Sequence, residues 1–270
     1  VTVQCIGDVP AADPLLITDE ADNQGVPVVA HVGDVSDGLT CPETITRTYS
    51  ITDVCGNQIT VDQIITVQDV TAPVMAAAPA NVTVECIGDV PAMINLGWTD
   101  NCDGAGTVAG TDVSDGLSCP ETITRTWTYT DACGNTSSTS QTITVIDTQA
   151  PVFAPAPADI TISCTSGLLS GNVLTWTDNC DGTGAVLPTD GPLVGGTCGG
   201  TITRTWTYTD NCGNNATVTQ TITVNDTQAP VLDPSPANVT VQCIGDVPAM
   251  IDLGWTDNCD GAGTVTGSDV

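Results

Sequence analysis

The chain has 270 residues and a formal net charge of −29, from 32 acidic side chains against three arginines and no lysine. Phosphate groups repel such a chain, so the composition excludes nucleic acid and anionic membrane surfaces as partners. No stretch is long and apolar enough to insert into a membrane as a helix. Valine, isoleucine and threonine dominate and favour strands, and no window has a sustained helical period.

The sequence repeats itself with a period of about 80 residues, which is in the lower size range of an independent domain. Val1–Pro10 recurs letter for letter at Val239–Pro248, and a W-T-D-N-C-D-G segment begins at Trp98, Trp176 and Trp255. We expect the protein to continue beyond both ends. The predicted repeats are 1–70 (truncated at its start), 71–148, 149–227 and 228–270 (truncated at its end).

Within the second repeat, the pattern predicts short strands separated by turns rich in Asp, Asn and Gly. In chain order the predicted strands are Asn81–Cys86, Met93–Thr99, Thr122–Thr130 and Thr142–Ile146, with turns at Asp100–Gly106 and Asp131–Asn135 and an ambiguous stretch at Gly106–Leu117. Thr122–Thr130 alternates strictly, with Ile123, Arg125, Trp127 and Tyr129 on one face and threonine on the other. This predicts an all-β fold: tandem immunoglobulin-like antiparallel β-sandwich repeats in an extended rod.

The chain has thirteen cysteines at regular spacing, which indicates an oxidising compartment and disulfides. The C-x-x-C pairs typical of structural zinc are absent. Strand directions place the first and third cysteine of a repeat at one pole and the second and fourth at the other. The expected pairs are Cys5–Cys41, Cys86–Cys119, Cys102–Cys133, Cys164–Cys198 and Cys180–Cys212. Ala21 replaces a cysteine, so Cys55 is a candidate free thiol, and Cys243 and Cys259 are expected to lack partners.

Three acidic features recur: the T-D-N-C-D-G turn, the T-D-x-C-G-N turn and the aspartate before each linker proline. A linker of only a few residues must place its aspartate beside the acidic pole of the following repeat. Converging carboxylates suit Ca²⁺, so we expect a calcium ion at each junction. The alternative is that Asp and Asn simply form good turns. The candidate ligands are Asp69, Asp100, Asp103, Asp131, Asp147, Asp178, Asp181, Asp210, Asp226, Asp257 and Asp260.

Catalysis has little support in the sequence. His31 is the only histidine and has no counterpart in the other repeats, so no histidine-based triad can repeat, and we expect a protein that is not an enzyme. Arg125 and Arg204 are expected to stack on aromatic rings and to pair with an inner aspartate or a backbone carbonyl. The rows of threonine allow ice or glycan binding, but such rows are more often the solvated face of a sheet.

Two segments, Thr126–Val152 and Thr205–Val231, resemble the hyalin-repeat (HYR-like) family of immunoglobulin-like modules. The four-cysteine variant is similar to repeats of very large Bacteroidetes-type surface adhesins, which are exported by the type IX secretion system. The resemblance implies an extracellular, cell-surface location and a stalk or filament segment. The alternative is that the repeats themselves bind a ligand such as a surface polysaccharide. Implied partners are neighbouring repeats of the same chain, and other copies in a filament or a surface glycan. The first repeat departs from the pattern at Ile17 and Tyr49, which replace tryptophans.

Overall fold

The computed structural model describes residues 1–18, 21–22, 25–196 and 199–268. The chain forms two compact units, Val1–Ile146 and Asp147–Val270. Strands dominate both units, and the short helical turns are of the 3₁₀ type. Among the described residues, none of these helical turns has the length and apolar character that a membrane span requires.

The first unit contains two repeats. Its first repeat contributes β1 (Thr2–Val3), β2 (Val28–Ser36), β3 (Glu43–Thr52) and β4 (Gln58–Val67), with 3₁₀ turns at Ile6–Asp8 and Pro14–Leu16. Its second repeat contributes β5 (Val74–Met75), β6 (Val82–Val84), β7 (Asn95–Asp100), β8 (Gly104–Ala109), β9 (Thr111–Ser114), β10 (Glu121–Thr130) and β11 (Thr136–Val145), with a 3₁₀ turn at Ile87–Asp89.

The second repeat has two sheets, ordered β6-β11-β10-β9 and β5-β7-β8, and the first repeat has a sheet ordered β1-β4-β3-β2. Neighbouring strands are antiparallel except that β1 runs parallel to β4 and β6 parallel to β11. The all-β fold of mainly antiparallel sheets is therefore as predicted. The parallel edge strands were not predicted, because a strand of two or three residues carries no signal of its direction.

The alternation predicted for β10 is confirmed. Ile123, Arg125 and Trp127 are buried, whereas Thr124 and Thr128 are exposed. Across the sandwich, the ring of Trp98 on β7 stacks on Tyr129 of β10, with centroids 3.6 Å apart and planes 10° apart. This stack joins the two sheets close to the turn that follows β7. The ambiguous stretch forms most of β8 and β9, and β11 begins six residues earlier than the closing strand that was predicted.

The arginine of β10 forms the predicted ion pair inside the repeat. The Arg125 side chain is 5% exposed, and its Nε and Nη2 donate to the two carboxylate oxygens of Asp112 at 2.7 and 2.9 Å. Its Nη1 donates to the carbonyl oxygen of Pro91 at 2.9 Å. This hydrogen-bonded pairing lowers the pKa of Asp112 and raises that of Arg125. The same fork recurs as Arg47 on Asp34 in the first repeat, and as Arg204 on Asp190 in the third.

The second unit repeats this plan. Its strands are β12 (Val152–Phe153), β13 (Ile160–Ile162), β14 (Leu174–Asp178), β15 (Gly182–Val186), β16 (Thr189–Asp190), β17 (Val194–Gly196), β18 (Gly199–Thr209), β19 (Asn215–Val224), β20 (Val231–Leu232), β21 (Asp252–Asp257) and β22 (Gly261–Thr266), with 3₁₀ turns at Thr165–Gly167 and Ile244–Asp246. The sheets are β13-β19-β18-β16 with β17 also on β18, β12-β14-β15 and β20-β21-β22. Trp176 stacks on Tyr208 with ring centroids 3.7 Å apart.

Candidate cation site and disulfides at the repeat junction

The turn between β7 and β8 holds one oxygen of Asp100 in place. Its Oδ1 accepts hydrogen bonds from the backbone N–H of Cys102 (2.8 Å) and Asp103 (2.9 Å). Gly104, at a φ of 86°, then starts β8 in a conformation that residues with a side chain rarely adopt. The motif T-D-N-C-D-G thus fixes the orientation of the Asp100 carboxylate through its own backbone.

The turn between β10 and β11 is built in the same way around Asp131. Burial opposes ionisation of this carboxyl, but hydrogen bonds from Asn135 and from the backbone of Cys133 and Gly134 hold its pKa below the ordinary value. The side-chain nitrogen of Asn135 donates to Asp131 Oδ2 at 2.8 Å and to the carbonyl oxygen of Asp69 at 3.1 Å. Asn135 therefore ties the linker from the first repeat to a turn of the second.

Asp69 lies in that linker and is 5% exposed. Its Oδ1 accepts from the backbone of Thr71 (2.9 Å) and from Asn101 Nδ2 (3.2 Å), whereas its Oδ2 is buried with no hydrogen-bond partner among the described residues. The Oδ2 of Asp100 is likewise buried with no hydrogen-bond partner among the described residues. A carboxylate oxygen of Asp69 lies within 4.8 Å of a carboxylate oxygen of Asp100. Buried, unpaired carboxylate oxygens are costly, so this pair fits a bound cation.

The second unit contains the equivalent cluster. Carboxylate oxygens of Asp147, Asp178 and Asp210 lie within 4.8 Å of one another, and Asp147 is 6% exposed. The Oδ2 atoms of Asp147 and Asp178 are again buried without a hydrogen-bond partner in the described part of the chain. Asn214 Nδ2 donates to the carbonyl oxygen of Asp147 (3.0 Å) and to Asp210 Oδ2 (2.8 Å). Each of the two compact units thus presents the same unpaired atoms.

The structure groups some of the predicted ligands and not others. Asp226 and Asp257 form a third, more exposed group. Asp103 instead accepts hydrogen bonds from Tyr129 Oη (3.1 Å) and Ala132 N–H (3.0 Å), and Asp181 accepts from Asn211. The carboxylate of Asp260 belongs to none of the three groups found among the described residues. Metal binding by the predicted residues stays a prediction.

Two asparagines take part in the junction although sequence reasoning treated them only as turn residues. Besides its bond to Asp69, Asn101 Nδ2 lies 3.3 Å from Gln4 Oε1 and 3.4 Å from Cys5 Sγ of the preceding repeat. Asn135 Nδ2 donates to the carbonyl oxygen of Asp69 in the linker. Both recur at fixed places in the T-D-N-C-D-G and C-G-N motifs, and that recurrence was the signal that could have identified them.

The three disulfides whose partners are described join neighbouring repeats instead of closing single repeats. The bonds are Cys5–Cys102, Cys41–Cys133 and Cys164–Cys259. The predicted pairs Cys5–Cys41, Cys102–Cys133 and Cys164–Cys198 are therefore wrong, and Cys198 itself lies outside the described residues. Cys259, for which no partner was expected, is also bonded.

The predicted disulfides were wrong because strand directions describe only one repeat at a time. They place a cysteine at a pole of its own repeat but do not say what faces that pole. Across the junction, Cys5 and Cys41 of one pole bond the cysteines at the opposite pole of the next repeat. The equivalent predicted pairs, Cys86–Cys119 and Cys180–Cys212, lose their support, although all four of these cysteines are disulfide-bonded.

Free thiols occur at two described positions. Cys55 is unpaired and exposed, as predicted, and Cys243 is likewise unpaired and exposed. Beside the Cys5–Cys102 bond runs a crevice of about 810 Å³, lined by both repeats of the first unit. Acidic side chains in its lining, Asp8 and Glu43 among them, make the surroundings of the Asp69 carboxylate strongly negative.

Disulfide-linked tandem β-sandwich repeats define a structural repeat protein of the extracellular, adhesion type. The chain belongs to the family described as "HYR-like domain with 4 cysteines", which matches residues 1–67, 74–145 and 152–224. It is also similar to hyalin of Strongylocentrotus purpuratus, with 28% identity over 227 residues that cover 78% of this chain. The match spans 18% of hyalin. The predicted resemblance to hyalin repeats is thus confirmed, and such repeats are structural modules rather than enzymes.

Proposed function

We propose that this chain is a stalk segment of a cell-surface adhesin in which Ca²⁺ stiffens each repeat junction. The four-cysteine, D-N-C-D-G form of the repeat supports an adhesin of the Bacteroidetes type. The observation that carries the calcium role is the set of buried, unpaired carboxylate oxygens on Asp69 and Asp100, which is repeated on Asp147 and Asp178.

The donor set favours calcium over other divalent ions. Converging carboxylate oxygens suit the large, flexible shell of Ca²⁺, whereas Mg²⁺ requires a tight octahedron. Cys102 and Cys259 lie within the same 4.8 Å groups, but their sulfurs are in disulfides and offer no thiolate to a softer metal. A site with two or three carboxylates resembles extracellular modules, for which dissociation constants are about 10⁻⁴–10⁻³ M.

Calcium titration of the full, oxidised chain tests the proposal. We expect heat of binding in isothermal titration and a higher Tm in 10 mM CaCl₂ than in EDTA, with a smaller response to MgCl₂. The triple variant Asp100→Asn/Asp178→Asn/Asp257→Asn removes one ligand from each acidic group and should lose both effects. Asp62→Asn/Asp246→Asn/Asp252→Asn makes the same charge change at exposed positions and should retain them. If the wild-type chain shows no binding and an unchanged Tm, the calcium proposal fails.

A second candidate function is glycan binding by the threonine-rich sheet face. Paired rows of hydroxyl side chains face outward on β10 and β11, with Thr124 opposite Thr142 and Thr128 opposite Ser138. Such a flat row of donors and acceptors fits the hydroxyl groups of a polysaccharide. Binding of the full chain on a glycan array, and its loss in Thr124→Val/Thr128→Val, would favour this function over a purely structural one.

A further inference from the structure

We propose that the paired disulfides form a covalent bypass around each junction, which carries tension and limits how far the repeats can be pulled apart. In the first unit, Cys5 directly follows β1, and Cys102 lies in the turn after β7 of the next repeat. A load that enters at the N-terminus therefore crosses to the second repeat almost at once. The linker with Asp69 lies inside the closed loop, outside the load path.

The two disulfides of this junction limit its extension to nearly the same length. The residues that they join are 97 and 92 positions apart. From Val1 to Ser140, the route through Cys5–Cys102 is about 42 residues and the route through Cys41–Cys133 about 47. At about 3.5 Å per residue these routes differ by only about 17 Å, whereas reduction of every disulfide adds about 340 Å. Either bond alone is therefore sufficient to restrain the junction.

The second unit provides independent support for this connectivity. Cys164 and Cys259 occupy positions equivalent to Cys5 and Cys102, and their bond joins residues 95 positions apart. Closed loops of nearly constant size thus link successive repeats in both units. A stalk built this way extends little under tension, because most of each repeat lies within a disulfide-closed loop.

The bypass also explains how a junction site can survive under load. Asp69 and Asp100 must stay within a few ångströms of each other to bind an ion, and both lie between the bonded positions 5 and 102. The disulfides hold the ends of that segment together, so the pulling force does not act directly between the two carboxylates. The inference rests on the covalent connectivity and does not require calcium to be bound.

Single-molecule stretching of the full chain tests the inference in EDTA, so that failure of the calcium proposal cannot affect the result. One handle is attached at the N-terminus and the other at an azide-bearing residue that replaces the exposed Ser140. We expect the oxidised chain to stop at about 150 Å. Cys5→Ser/Cys102→Ser and Cys41→Ser/Cys133→Ser should each stop within about 20 Å of that length.

The fully reduced wild type should extend to about 490 Å, and the oxidised quadruple variant should extend about 200 Å or more beyond the double variants. The full contour length depends on covalent connectivity alone, so the measurement holds even for a variant that does not fold. A gain of hundreds of ångströms in either double variant, or in the intact oxidised chain, would overturn the bypass.

Discussion

The unpaired carboxylates predict a difference in stability whose size depends on calcium. Two carboxylate charges no more than 4.8 Å apart repel by about 3 kcal/mol at an effective dielectric constant of 20. Asp69→Asn removes this repulsion while keeping an Oδ1 to accept from Thr71 and Asn101. In EDTA we therefore expect the variant to be more stable than wild type by up to about 3 kcal/mol, which raises the Tm of the unit by several degrees.

In saturating calcium this advantage of the variant should largely disappear. An ion present at about 100 times its dissociation constant stabilises the wild type by about 2.7 kcal/mol, and Asp69→Asn loses most of this contribution. Scanning calorimetry of both proteins in EDTA and in CaCl₂ measures the two differences in stability, with Asp62→Asn as the control for net charge. If Asp69→Asn destabilises the chain equally in both buffers, Asp69 is a structural hydrogen-bond acceptor and the reasoning from unpaired charge is refuted.

Two further predictions concern packing and pH. A Cβ at Gly106 would lie 2.7 Å from Cζ2 of Trp98, whose ring cannot move because it is stacked on a tyrosine, so Gly106→Ala should cost about 1–3 kcal/mol in urea melts. Gly88→Ala, where a Cβ meets nothing within 4 Å, should be close to neutral. The hydrogen bond from Arg47 lowers the pKa of Asp34 to about 2, so this ion pair stabilises the fold fully above pH 4 and is lost as the pH falls through 2. The difference in unfolding free energy between wild type and Asp34→Asn should shrink as the pH falls from 4 to 2, by about 1 kcal/mol because water screens the partly exposed carboxylate.

Much of the repeat followed from pattern alone. The two-residue period of Thr122–Thr130 identified the buried face of β10, because a strand with one buried side must alternate. The same period placed Arg125 on the buried face of the strand. A buried charge requires a partner, and the period therefore predicted the aspartate that pairs with Arg125. The stretch from 106 to 117 gave no such signal. At Gly106 the ring of Trp98 on the neighbouring strand β7 leaves no room for a side chain, and at Gly110 the ring of Trp127 on β10 does the same, so both requirements come from other strands.

The acidic junction was only partly predictable. The recurrence of Asp69, Asp100 and their counterparts, with a short linker, was sufficient to propose a shared site. Sequence spacing did not show that Asp103 turns instead towards a tyrosine hydroxyl, or that Asn135 reaches back to the linker. The hydrogen-bond partners of Asp103 and Asn135 depend on the directions in which their side chains point. The packing of the two turns sets those directions, and the identity of the residues does not.

By itself, the sequence determined the repeat, the strand faces, the oxidising environment and the pole at which each cysteine lies, because all of these depend on local period and spacing. Only the tertiary structure decided which cysteines bond. A cysteine at a pole can reach any sulfur brought within bonding distance, and docking of the next repeat brings Cys102 to Cys5 and Cys133 to Cys41. That choice belongs to the surface between two folded repeats, which the pattern within one repeat does not encode.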